Sequence, residues 1–204
     1  MLVMPDRNHW RRVSSPLAAL VAALAFGWSA APHGQSSAPG PPALRLYVLD
    51  CGTLKDRDGV PYGIPLERMP PRDLADTCAL VVHPRGTLLW ETGVHESVNQ
   101  PAQPNESFRP GGRRPGDRLA RTLKSQLDAL GYGPEDITYL ALSHAHWDHT
   151  GNVRDYLRST WVTQKLERDA MLGGSRRAPN AADFAGLENA PTRVIDGDHD
   201  VFGD

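Results

Sequence analysis

The chain has 204 residues, with 22 Lys and Arg against 24 Asp and Glu, for a formal net charge of −2. That near-neutral balance, with no basic stripe, excludes nucleic acid as the main partner. The length suits one domain behind a leader, and 40% hydrophobic residues supply a core despite 18 prolines and 19 glycines.

Arg7, Arg11 and Arg12 precede a short apolar run over 17–28, and Ser29-Ala30-Ala31 offers small residues for cleavage. The pattern predicts a secretory signal peptide over residues 1–31, too short for a comfortable membrane span. The protein is therefore expected to be exported, to the periplasm or beyond. An uncleaved anchor, or a start codon upstream of the real one, is the other reading. No cysteine directly follows the apolar run, so a lipoprotein anchor is not indicated, and no stable membrane anchor is expected. Residues 32–43 are rich in Pro, Gly and Ser and predict a flexible linker. The folded part should then begin near Leu44.

Apolar runs predict strands over 44–49, 78–83, 87–91, 138–142, 160–163 and 193–196. Pro84-Arg85-Gly86 reads as the turn of a hairpin. Residues 94–117 are polar and rich in Pro, Gly and Arg, and predict a long surface loop of the kind that often carries function. Leu119, Leu123, Leu127 and Leu130 share one helical face, which predicts a helix over 117–130 stopped by Gly131 and Gly133. Shorter helices are expected over 151–157 and 164–172. Two cysteines make no disulfide framework. Cys51 and Cys78 are expected as small buried thiols, with a bridge between them open if the protein is exported.

The segment Ser143-His144-Ala145-His146-Trp147-Asp148-His149-Thr150-Gly151-Asn152 carries most of the functional information. It sets three histidines and one aspartate in six positions, directly after the apolar run Tyr139-Leu140-Ala141-Leu142. Imidazole nitrogen and carboxylate oxygen are the ligands of hydrolytic zinc sites. His144 and His146, two apart, project to one side of an extended segment. Asp148 and His149 follow the turn and can face a second point. One loop could thus give two ligands to each of two adjacent ions, and paired metals form a hydrolytic device.

This segment resembles the metal-binding signature of the metallo-β-lactamase superfamily. Leu46–Leu54, Leu88–Gly93, Ser159–Asp169 and Asp200–Asp204 extend the likeness toward its N-acyl-homoserine lactonase branch, over about residues 44–204. The resemblance implies an α/β (α+β) fold, an αββα sandwich built from two ββα halves. Residues 44–204 would form the N-terminal half, a truncated, partial domain. It further implies two zinc ions, with His144 and His146 on the first and Asp148 and His149 on the second; manganese, iron and cobalt accept similar donors. Asp148 would also carry a proton to the leaving alkoxide. The substrate implied is a small ester or lactone, such as an N-acyl homoserine lactone. Tyr139 and Thr150 are candidates for supporting hydrogen bonds.

Two departures from the family matter. No Gly-His motif follows the metal loop, where the family places its next ligand, and His199 reads as a surface turn residue. Two protein ligands per ion fall short of the usual three, and half a sandwich leaves a sheet face uncovered. As given, the chain should be weakly stable and bind metal weakly, and a non-catalytic remnant is the rival to the lactonase reading. A hydrolase of another branch, acting on a β-lactam, thioester or other ester, is the third. The second departure is Glu91, where the family has aspartate. That carboxylate supports the metal loop without touching the metal; the alternative is a plain strand-end acid.

Overall fold

A computed structural model describes residues 43–100, 113–173, 182–183 and 185–204. The predicted signal peptide (1–31), nearly all of the linker and the middle of the predicted surface loop lie outside these residues. The described chain forms one mixed sheet of six strands, paired in chain order. These are β1 (Arg45–Arg57), β2 (Arg72–His83), β3 (Gly86–Trp90), β4 (Tyr139–Ala141), β5 (Thr160–Gln164) and β6 (Thr192–Ile195). β1, β2 and β3 pair antiparallel, and β3 through β6 pair parallel. The helices are α1 (Leu123–Leu130), α2 (Trp147–Thr150) and α3 (Lys165–Leu172). Among the described residues no helix is long and apolar enough to cross a membrane.

Strand alternation divides the sheet. Leu49, Cys78, Leu80, Leu89, Leu140 and Trp161 point to one side and bury with Leu123 and Leu127 of α1 and Met171 of α3. Leu46, Val48 and Trp90 point to the other and remain 64%, 69% and 45% exposed. The sheet therefore has one covered and one largely open face, as half a layered sandwich should.

All six predicted strands exist, but β1 and β2 run further than hydropathy suggests. Their extensions carry Lys55, Arg57, Arg72, Asp73 and Asp76, charges that break the apolar signal without breaking the backbone ladder. The expectation of free thiols was wrong: Cys51 and Cys78 form a disulfide. Leu49 pairs with Cys78 across the β1–β2 ladder, and a register shift between Asp50 and Gly52 lets Cys51 reach its partner.

The predicted 117–130 helix begins six residues late. Thr122 caps it, accepting from the Ser125 amide at 3.1 Å, and Gly131 ends it in the left-handed conformation at φ 84°. Upstream, tertiary contacts capture the chain. Asp117 accepts from the Lys55 and Arg114 amides at 2.7 and 2.6 Å and from Arg57 Nη2 at 2.7 Å, while Arg118 bridges Thr53 on β1. These bonds hold Asp117 and Arg118 out of the helix against propensity. The Arg57–Asp117 pair is almost wholly buried, at 8% and 0% side-chain exposure. Asp117→Ala would leave Arg57 charged and unpaired, and should cost about 3–5 kcal/mol of stability. Urea unfolding measures this; a loss below 1 kcal/mol would show the pair to be incidental. The expected 151–157 helix shrinks to a single 3-10 turn over Val153–Tyr156, preceded by α2. α3 lies within one residue of its expected span.

Candidate metal centre

The ligand-rich loop leaves the carboxyl end of β4, where open α/β sheets place their sites. His146 immediately precedes α2, and its carbonyl takes the amides of His149 and Thr150 at 3.0 and 3.1 Å. The Thr150 hydroxyl donates to the same carbonyl at 3.0 Å. This tight turn packs His144 between its neighbours: its ring centroid lies 4.3 Å from those of both His146 and His149. His149 Nε2 is 3.7 Å from Asp148 Oδ2. His144, His146, Asp148 and His149 are therefore neighbours on one short loop. Among the described residues, no three His, Cys, Asp or Glu side chains already converge as a ligand set.

A second turn, at the end of β3, holds this loop from below. Thr92 donates to the His149 carbonyl through both its amide and its hydroxyl, each at 2.9 Å. Gly93 accepts from the Gly151 amide at 2.9 Å, and the Asn152 side chain donates to the Thr92 and Val94 carbonyls at 2.7 and 3.0 Å. The approach is close enough to require glycine twice. A Cβ on Gly151 would sit 2.3 Å from the His95 nitrogen, and one on Gly93 would sit 2.5 Å from Cys51 Cβ.

Glu91 joins the two turns. It is 3% exposed and adopts φ 66°, a left-handed conformation uncommon for a residue with a Cβ. Its Oε1 accepts from the Ser143 amide at 2.9 Å, and its Oε2 lies 3.3 Å from His149 Nδ1, an ion-pair distance without hydrogen-bond alignment. Ser143 Oγ lies 2.9 Å from His144 Nδ1, which leaves the Nε2 edge of that ring unoccupied by this bond.

Burial disfavours a charged His149, but the Glu91, Asp148 and Asp76 carboxylates outweigh it and raise its pKa. His144 moves the other way, because burial and the neighbouring His149 and His146 oppose its protonation. Neutral imidazole is the form that binds metal. Asp148 Oδ1, His149 Nδ1, Glu91 Oε2 and Asp76 Oδ2 are buried without a hydrogen-bond partner among the described residues. Buried orphans of this kind are costly, and nitrogen and oxygen donors in this mixture suit a divalent cation. The donor set fits zinc.

Sequence reasoning missed Asp76, Thr92 and Asn152. Asp76 had an available signal, since it falls in step with Cys78 and Leu80 on the inward side of β2. Thr92 and Asn152 act through backbone contacts that no spacing rule reveals. The Tyr139 ring meets Phe202 edge-on at 5.8 Å and lies beneath the Arg193 guanidinium, 5.4 Å from its centroid. His199 is exposed, with Nε2 3.4 Å from Arg193 Nη1.

A mixed sheet that carries a His/Asp loop off a parallel strand defines a class of α/β proteins built around such a loop. The chain belongs to the Metallo-beta-lactamase superfamily, which it matches over residues 72–203. It is 31% identical over 134 residues to an N-acyl homoserine lactonase of a Bacillus species, covering 63% of this chain and 50% of that protein. It is 30% identical over 129 residues to N-acyl homoserine lactonase AiiA of Bacillus thuringiensis subsp. kurstaki, covering 61% and 48%. The chain thus spans about half the length of these curated relatives. A solved N-acyl homoserine lactone hydrolase, with N-hexanoyl-L-homoserine bound at its catalytic metal centre, superposes with a TM-score of 0.59 at 24% identity. That match covers 78% of this chain and 62% of the other. AidC, a dizinc quorum-quenching lactonase, gives a TM-score of 0.53 at 18% identity, covering 79% and 61%. These likenesses establish the fold.

Proposed function

We propose that the protein is a dinuclear zinc hydrolase that opens a lactone such as an N-acyl homoserine lactone. The observation that carries this is the set His144, His146, Asp148 and His149 on one loop, with buried unpaired ligand atoms, in a chain whose relatives are lactonases. His144 and His146 would hold one ion, Asp148 and His149 the other. Zinc bound there would supply Lewis-acid polarisation of the ester carbonyl and hydroxide near neutral pH. Glu91 orients the loop through the Ser143 amide and His149. Asp148 would carry the proton to the leaving alkoxide. Thr92 and Asn152 fix the backbone of the ligand loop.

The Cys51–Cys78 disulfide supports export, because such bridges persist in oxidising compartments. It favours reading residues 1–31 as a secretory signal. The test of function is a substrate panel on the zinc-loaded full-length protein. Lactone should be cleaved at least tenfold faster, by kcat/KM, than a thioester or a β-lactam. A thioester or β-lactam in first place moves the protein to another branch. Absence of turnover on all three favours a remnant without catalysis.

A further inference from the structure

β2 places Leu74, Asp76, Cys78 and Leu80 on the side that faces the core. A carboxylate in that row needs a reason. Asp76 is 6% exposed, and its ladder partner on β1 is Gly52, beside the disulfide. The Val94 amide, which donates to the Cys51 carbonyl at 3.2 Å, also lies against the Asp76 carboxylate. Asp76 therefore sits under the 92–94 turn, on which the ligand loop rests. Its Oδ2 is buried with no hydrogen-bond partner among the described residues. The charges it meets are those of His149, Asp148 and Glu91.

Three carboxyl groups thus act on one imidazole. Glu91 lies at the Nδ1 side of His149 (3.3 Å), Asp148 at the Nε2 side (3.7 Å), and Asp76, under the 92–94 turn, is near enough to feel the imidazole's charge. Each of the four residues has one buried polar atom with no hydrogen-bond partner among the described residues. A single imidazole cannot balance that much carboxylate, and buried like charge is what a bound cation relieves. Asp76 lies outside the His/Asp loop, 72 residues upstream of Asp148 in the chain.

We propose that Asp76 is a positioning residue of the metal centre, whose buried carboxylate fixes the Asp148–His149 pair for a divalent cation. The proposal rests on the zinc reading of the loop. It is tested with zinc alone, titrated into the full-length protein against a chromophoric chelator. Asp76→Asn keeps the side chain's shape and its acceptor for Val94 but removes the charge. Zinc affinity should fall about 10–100-fold. The thermal midpoint in excess chelator should hold or rise, because burial penalises the ionised carboxylate that Asn does not carry. A purely structural Asp76 gives the opposite pair of results: a lower metal-free midpoint with zinc affinity unmoved. That outcome overturns the proposal. Should Asp76→Asn fail to fold, Asp76→Ser is read by the same two measurements. Zinc binding lost in His146→Ala but intact in the Asp76 variant rejects the role of Asp76 alone. A wild type that binds no zinc rejects the metal reading and this proposal together.

Discussion

Asp148→Ala in the full-length protein should lower zinc-dependent lactone hydrolysis by about a thousandfold or more, the scale of a metal's contribution to carbonyl attack. The expectation follows from position. Asp148 lies in the first turn of α2 one residue before His149, its Oδ1 is buried without a hydrogen-bond partner among the described residues, and its Oδ2 lies 3.7 Å from His149 Nε2. Removing it takes away one proposed ligand and the proton carrier together. The metal content of the purified variant, measured beside kcat/KM, separates the two losses. Full zinc with lost turnover assigns the proton role, and lost zinc assigns the ligand role. His199→Ala is the control, since its ring is exposed and engages Arg193. If Asp148→Ala turns over as fast as the wild type, the loop is not the reaction centre and the lactonase reading fails.

Reduction of Cys51–Cys78 should cost about 3.5 kcal/mol, from the chain entropy released when a bridge across 27 residues opens. For a domain of this size the thermal midpoint would drop by roughly 10 °C. The effect reaches the ligand loop through a short path. Gly93 packs on Cys51, Gly93 accepts from Gly151, and Thr92 holds the His149 carbonyl. Loss of the bridge should therefore weaken zinc binding as well as stability. Thermal melts with and without reductant, repeated on Cys51→Ser/Cys78→Ser, check both. A midpoint indifferent to reductant would mean the bridge contributes nothing. A count of free thiols in the natively produced protein tests the bridge and the proposed export in one measurement; two reactive thiols would argue against both.

The sequence by itself determined the sheet's strands, the body of α1, the span of α3 and the position of the ligand loop. These rest on local signals: apolar runs of strand length, a helical leucine face, and histidines at a spacing that chance rarely supplies. The ends of β1 and β2 were illegible, because charged residues such as Arg57 and Asp76 hid inside the ladder. The start of α1 was illegible too. Leucine spacing from Leu119 onward favours helix, but Asp117 and Arg118 bond to β1, some sixty residues away in the chain. Only the tertiary structure joined Cys51 to Cys78, set Glu91 between Ser143 and His149, and brought Asp76 under the 92–94 turn. Those contacts depend on strand register and on the close approach that Gly93 and Gly151 permit. A local pattern constrains the conformation of its own segment; the partners of a buried charge or thiol are fixed by which strands lie side by side.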